Sequence, residues 1–110
     1  MTPNEYQREA LRTAAGLDPQ SLMLNGVLGL CGESGECADM VKKHLFQGHG
    51  LDEVHLAKEL GDCAWYLAVA AHAIGDDLET IFQMNVDKLR KRYPDGFSAE
   101  RSQHREEGDV

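Results

Sequence analysis

The sequence predicts an all-α protein, an antiparallel four-helix bundle. Apolar residues recur at helical spacing along the chain, and no stretch shows the alternation of a half-buried strand. Helix-start signals stand at Thr2-Pro3, Asp18-Pro19, Asp52 and Asp76-Asp77. The connections between these segments are short, which favours antiparallel neighbours. Residues 1–94 read as one helical domain and residues 95–110 as a polar, irregular tail.

The first helix opens at Thr2-Pro3, an N-cap followed by proline in the first turn, and continues through Tyr6, Ala10, Leu11 and Ala14 until Gly16 ends it. The second runs from Pro19 to about Lys43, with Leu22, Met23, Val27, Leu30, Ala38 and Val41 among its apolar positions. Gly26, Gly29, Gly32 and Gly35 recur along it every third residue. Each glycine costs a helix up to about 1 kcal/mol relative to alanine. The series therefore marks either a groove that admits another helix or a flat ligand, or a kink near Gly29. Asp52 opens a third helix that continues to Gly75, and its stretch Cys63–Ile74 is apolar on nearly every side. That composition predicts a homodimer or higher oligomer with this helix in the interface. Asp76-Asp77 opens the fourth helix through Leu78, Ile81, Phe82, Val86 and Leu89, ending at Tyr93-Pro94. The tail is polar apart from Phe97.

At 110 residues the chain is one domain, small enough to favour oligomerisation. Its 11 Lys and Arg against 19 Asp and Glu give a formal net charge of −8. A field of that sign disfavours nucleic acid and anionic membranes as partners. The opening MTPNEYQ has neither the basic nor the apolar region of a signal peptide, and no stretch is long enough to span a bilayer. Cys31, Cys37 and Cys63 are odd in number and lack metal-site spacing, as expected of reduced thiols in a cytoplasmic protein.

Chemistry points to four acids. Glu33 with Glu36, and Glu59 with Asp62, are each spaced i, i+3, so each pair shares a helix face. A hairpin folded at Gly48-His49-Gly50 would bring both pairs to one height, roughly 10 Å from the turn. Four converging carboxylates repel unless a cation neutralises them, and oxygen-only ligands suit Mg²⁺ or Mn²⁺. No Glu has a His three residues later, which argues against a di-iron bundle. On the fourth helix Lys88 and Arg92 share a face, with Asn85 a turn earlier and Tyr93 adjacent. Acids that hold a cation, with Lys and Arg available, suit a polyphosphate. Arg90 and Lys91 instead complement the helix dipole. Trp65 and Tyr66 follow the second acid pair by a turn; packing accounts for at least one, and the other is a candidate for stacking on a base. His44, His49 and His55 read as solvated, although His55 lies one turn before Glu59 and is within reach of a phosphate.

Taken together, Gly29–Lys43, Lys58–Leu67 and Asn85–Pro94 resemble the MazG-like nucleoside triphosphate pyrophosphohydrolases of the all-α NTP pyrophosphatase superfamily. The resemblance covers roughly Tyr6 to Arg105. It implies that Glu33, Glu36, Glu59 and Asp62 are Mg²⁺ ligands and that Lys88 and Arg92 contact phosphate. It further implies hydrolysis of the α–β phosphoanhydride of a nucleoside triphosphate to monophosphate and pyrophosphate, by dimers or tetramers. Glu36 is the candidate general base. Where some members carry an extra acid before each pair, this chain has Gly32 and Lys58. The alternatives are phosphoribosyl-ATP pyrophosphohydrolase, and a helical nucleotide-binding or oligomerisation module without turnover.

Overall fold

The computed structural model describes residues 1–14 and 16–110; Ala15, within the stretch expected to close the first helix, lies outside the described residues. The elements are α1 (Pro3–Leu11), α2 (Pro19–Phe46), α3 (Glu53–Ala73), α4 (Leu78–Arg92) and α5 (Ala99–Gln103). The all-α class is the one expected, with five helices among the described residues rather than four. Apart from an isolated bridge between Pro94 and Gly96, the described residues hold no β-structure. None of the described helices is long and apolar enough to cross a membrane.

The helix starts follow from their caps. Thr2 Oγ1 accepts from the Glu5 N–H at 3.1 Å while Glu5 Oε2 accepts from the Thr2 N–H at 3.0 Å, a reciprocal capping box. Asp18 accepts from the Ser21 N–H and Asp52 from the His55 N–H, both at 3.0 Å. The ends differ from expectation. α1 stops at Leu11, short of Gly16, because the N–H groups of Arg12, Thr13 and Ala14 turn back onto the carbonyls of Glu9, Ala10 and Leu11. α2 runs past Lys43 to Phe46, since the Lys43 carbonyl accepts from both Gln47 and His49. Gly48 then turns the chain with φ +74, a conformation costly for a residue with a Cβ.

Two compact units divide the chain, residues 1–78 and 79–110. In the first, α2 and α3 pack along their lengths and α1 lies on α3. Gly26 meets Ala70, Gly29 meets Tyr66 and Ser34 meets Cys63, so partners descend along α3 as they ascend along α2. The hairpin is antiparallel. α2 is one unbroken helix, so the kink near Gly29 does not occur. A Cβ on Gly26 would lie 2.8–2.9 Å from Ala70, and one on Gly29 would overlap the Tyr66 ring. Those two glycines let α3 approach closely, whereas Gly32 and Gly35 face open space.

The all-round apolar character of α3 is met in part within the single chain. Ala68 and Val69 are fully buried and Ala71 nearly so, within the single chain. Residues 63–67, Ala70 and Ala73 are only half-buried and Ile74 is 60% exposed, so α1 and α2 cover part of the apolar stretch. Gln7 is the buried polar residue of this core. Its Nε2 donates to the carbonyls of Ala68 at 3.1 Å and Asp76 at 3.2 Å, and its Oε1 accepts from the Leu78 N–H at 3.2 Å. Such complete pairing offsets the cost of burying an amide. Trp65 Nε1 donates to the Ala10 carbonyl at 3.0 Å and to Thr13 Oγ1 at 2.8 Å, tying α3 to the end of α1.

In residues 79–110 the tail is not simply irregular. Ser98 caps α5, accepting from the Arg101 N–H at 3.3 Å. Tyr93 and Phe97 bring their rings to 5.4 Å. Farther along, Asp109 closes on Arg92 with two hydrogen bonds of 2.7 Å.

Candidate metal centre

The α2–α3 hairpin sets the height of the acids. Oxygens of Glu33, Glu59 and Asp62 all lie within 4.8 Å of one another, one from α2 and two from α3. Glu36 stands outside that group of three, exposed on α2, but its carboxyl is close enough to interact with Glu59 and to act on Glu33. Glu33 and Glu59 are half-buried, and each keeps one oxygen, Oε2 in both, out of water and without a hydrogen-bond partner.

That arrangement is electrostatically unfavourable by itself. The Glu33 carboxyl is pushed up to about 7, first because it shares a proton with Glu59, then by burial and the charges of Glu36, Glu59 and Asp62. Glu59 is held below the ordinary carboxylate range, by the same interaction with Glu33 and by hydrogen bonds to His55 and Glu36. As two carboxylates they lack a donor between them; one proton or one cation relieves both. Two orphaned buried oxygens and a third carboxylate within ligand reach fit a hard divalent ion.

Four neighbours were given no role at the acids by the sequence reading. His55, read as solvated, places Nε2 3.1 Å from Glu59 Oε1. The i, i+4 spacing carried that signal. Tyr6, one helix away, has its hydroxyl 3.5 Å from the Gly61 carbonyl, and burial, then the charge of Asp62, push its pKa above the ordinary tyrosine value. Cys37 and Cys63, next in sequence to Glu36 and Asp62, are close enough for their thiols to interact, and burial raises that of Cys37.

The aromatic candidates have packing partners. Trp65 is edge-on to Tyr66, ring centroids 5.0 Å apart, with its N–H committed to α1, while Tyr66 fills the space over Gly29. In the second unit, Asn85, Lys88 and Arg92 line a cavity of about 670 Å³ between α4 and the tail. The Arg92 guanidinium lies 5.8 Å from the centre of the Tyr93 ring.

An all-helical hairpin with converging carboxylates of this kind is a candidate site for a divalent cation. The family model of the MazG nucleotide pyrophosphohydrolase domain matches residues 21–97. The chain belongs to that family. It is also similar to the Gene 37 protein of Mycobacterium phage L5, 41% identical over 69 residues, which is 59% of this chain. The matched part spans 60% of that relative's length. No solved structure matches the chain.

Proposed function

We propose that the protein hydrolyses the α–β phosphoanhydride of nucleoside triphosphates in a Mg²⁺- or Mn²⁺-dependent reaction, giving nucleoside monophosphate and pyrophosphate. The convergence of Glu33, Glu59 and Asp62 around two buried, unpartnered oxygens carries this reading. Family membership supports pyrophosphohydrolase chemistry in general.

Glu33, Glu59 and Asp62 would hold the cation, with Glu36 beside them. Once bound, a divalent ion supplies neutralisation of phosphate charge and a water more easily deprotonated than bulk water. Glu36 is exposed and outside the closest group, so its carboxylate is available to take the proton of the attacking water. The water oxygen bonds to the α-phosphorus as the bond from that phosphorus to the bridging oxygen breaks. The electron pair leaves with pyrophosphate. Lys88 and Arg92 are the cations proposed to accept the charge on that leaving group. His55 holds Glu59 by Oε1, which leaves the buried Oε2 without a hydrogen-bond partner.

A homodimer or homotetramer is the proposed working form. Support lies on α2, where Leu24, Val27 and Leu28 share a face and stay 50%, 54% and 68% exposed. The deciding experiment measures pyrophosphate release from a panel of canonical and modified nucleoside triphosphates, with Mg²⁺ or Mn²⁺ and with chelator. Metal-dependent release that Glu59→Gln abolishes, with the helical content unchanged, is expected. Release that persists in both Glu59→Gln and Glu36→Gln would overturn the proposal.

A further inference from the structure

The cavity between α4 and the tail is lined by five full cations, Lys88, Lys91, Arg92, Arg101 and Arg105. Three of them lie on α4, and the other two come from α5 and the chain after it. Glu106, Glu107 and Asp109 share the lining, so the cations already face acids of the chain itself. The anion found there belongs to the protein. Asp109 binds Arg92 through Nε and Nη2, each at 2.7 Å, the two-pronged geometry by which a guanidinium takes carboxylate or phosphate. Both side chains are withdrawn from water, Arg92 9% and Asp109 17% exposed, unlike the surface pair Arg12–Glu9 at 76% and 60%. Arg105 and Lys88 also act on the Asp109 carboxyl, after Arg92, which places it among the pocket's cations.

We propose that this cavity is a phosphate-binding pocket to which the tail contributes Arg101 and Arg105, and that Asp109 occupies the Arg92 fork until an incoming phosphate group displaces it. The proposal rests on the reading of Lys88 and Arg92 as phosphate contacts and adds to it a built-in competitor. Displacement is chemically balanced, one two-pronged oxyanion being exchanged for another on the same guanidinium. The occupant is a phosphate group at the end of a polyphosphate, carried by free pyrophosphate or by a nucleoside triphosphate. Apparent affinity is lowered by the fraction of chains in which Asp109 holds the fork. Removing that carboxylate restores it.

The test is calorimetric titration of the full chain with inorganic pyrophosphate, under chelator so that the acid cluster takes no part. Asp109→Asn is expected to bind at least about tenfold more tightly than the unaltered chain. Lys88→Ala and Arg92→Gln are expected to lose binding in both backgrounds. Equal or weaker binding by Asp109→Asn, with Lys88→Ala still impaired, would overturn the competitor and leave the pocket. Binding indifferent to Lys88→Ala and Arg92→Gln would overturn the phosphate reading beneath it. A parallel titration with an α,β-imido nucleoside triphosphate separates the sources. A gain shared by both ligands assigns the pocket to the substrate chain, and a gain with pyrophosphate alone assigns it to the product. Hydrogen exchange in the unaltered chain gives an independent readout. Asp109 N–H, bonded to the Glu106 carbonyl at 3.1 Å, should exchange faster with pyrophosphate present, and slower or unchanged exchange counts against displacement.

Discussion

Glu33 on α2 and Glu59 on α3 each hold a buried Oε2 without a hydrogen-bond partner, and they bring carboxylate oxygens within 4.8 Å of each other. The native hairpin thus holds together two groups whose charges oppose its formation. Function and stability are expected to pull apart at this pair.

Glu33→Gln supplies an amide donor where Glu59 lacks one and removes a charge. Above pH 7, where Glu33 is ionised, the metal-free variant should melt a few degrees higher than the unaltered chain. Its affinity for Mn²⁺ should fall by more than the ~10–100-fold typical of losing an outer hydrogen-bond partner. Thermal melts with and without Mn²⁺ test both effects. A variant that melts lower without metal would argue against repulsion at this pair.

The raised Glu33 carboxyl, at about 7, gives a signed pH dependence. Because the folded chain holds this proton more tightly than an unfolded chain does, its contribution to metal-free stability is complete below the ordinary glutamate range. It is lost as pH rises through about 7. Cation binding displaces the same proton, so the rise in melting temperature caused by Mn²⁺ should grow from pH 5.5 to pH 8. A rise independent of pH would place the proton elsewhere.

His55 holds Glu59 Oε1 at 3.1 Å and is expected to orient the ligand rather than touch substrate. His55→Ala should weaken Mn²⁺ binding by ~10–100-fold, with a metal-free melting temperature close to that of the unaltered chain. His55→Gln, which retains a donor, should recover part of the loss. Identical behaviour of the two variants would reduce His55 to a surface pair.

The glycines of α2 divide by what they face. Gly26→Ala forces a methyl group against the Ala70 backbone and should destabilise by ~1–3 kcal/mol. Gly35→Ala meets nothing within 4 Å and should stabilise by up to ~1 kcal/mol through helix propensity. Urea denaturation of the two variants checks opposite signs within one helix.

Features set by local chemistry were legible in the sequence. Caps at Thr2, Asp18 and Asp52 depend on residues within one turn, and three of the four paired acids, Glu33, Glu59 and Asp62, needed only a turn at Gly48 to meet. Helix ends were less legible, since they depend on which carbonyl collects the last N–H groups, as Lys43 does. Contacts between residues distant in sequence were not legible. Trp65 meets the end of α1 across 52 and 55 positions, and no spacing rule announces it. The all-round apolarity of α3 was read as a partner's footprint, and nothing local shows that α1 and α2 will bury Ala68, Val69 and Ala71. Arg92 was read from its helix face alone, which is blind to a carboxylate 17 residues later.

Gln7 also bears on the order of assembly. The α2–α3 hairpin closes over a short turn, whereas Gln7 finds its partners 61 to 71 positions away. Short-range closure is the faster event, so the hairpin forms first and α1 docks onto it late. Weakening Gln7 should then leave the refolding rate nearly untouched and hasten unfolding, making the amino-terminal helix the clasp that sets the lifetime of the native state.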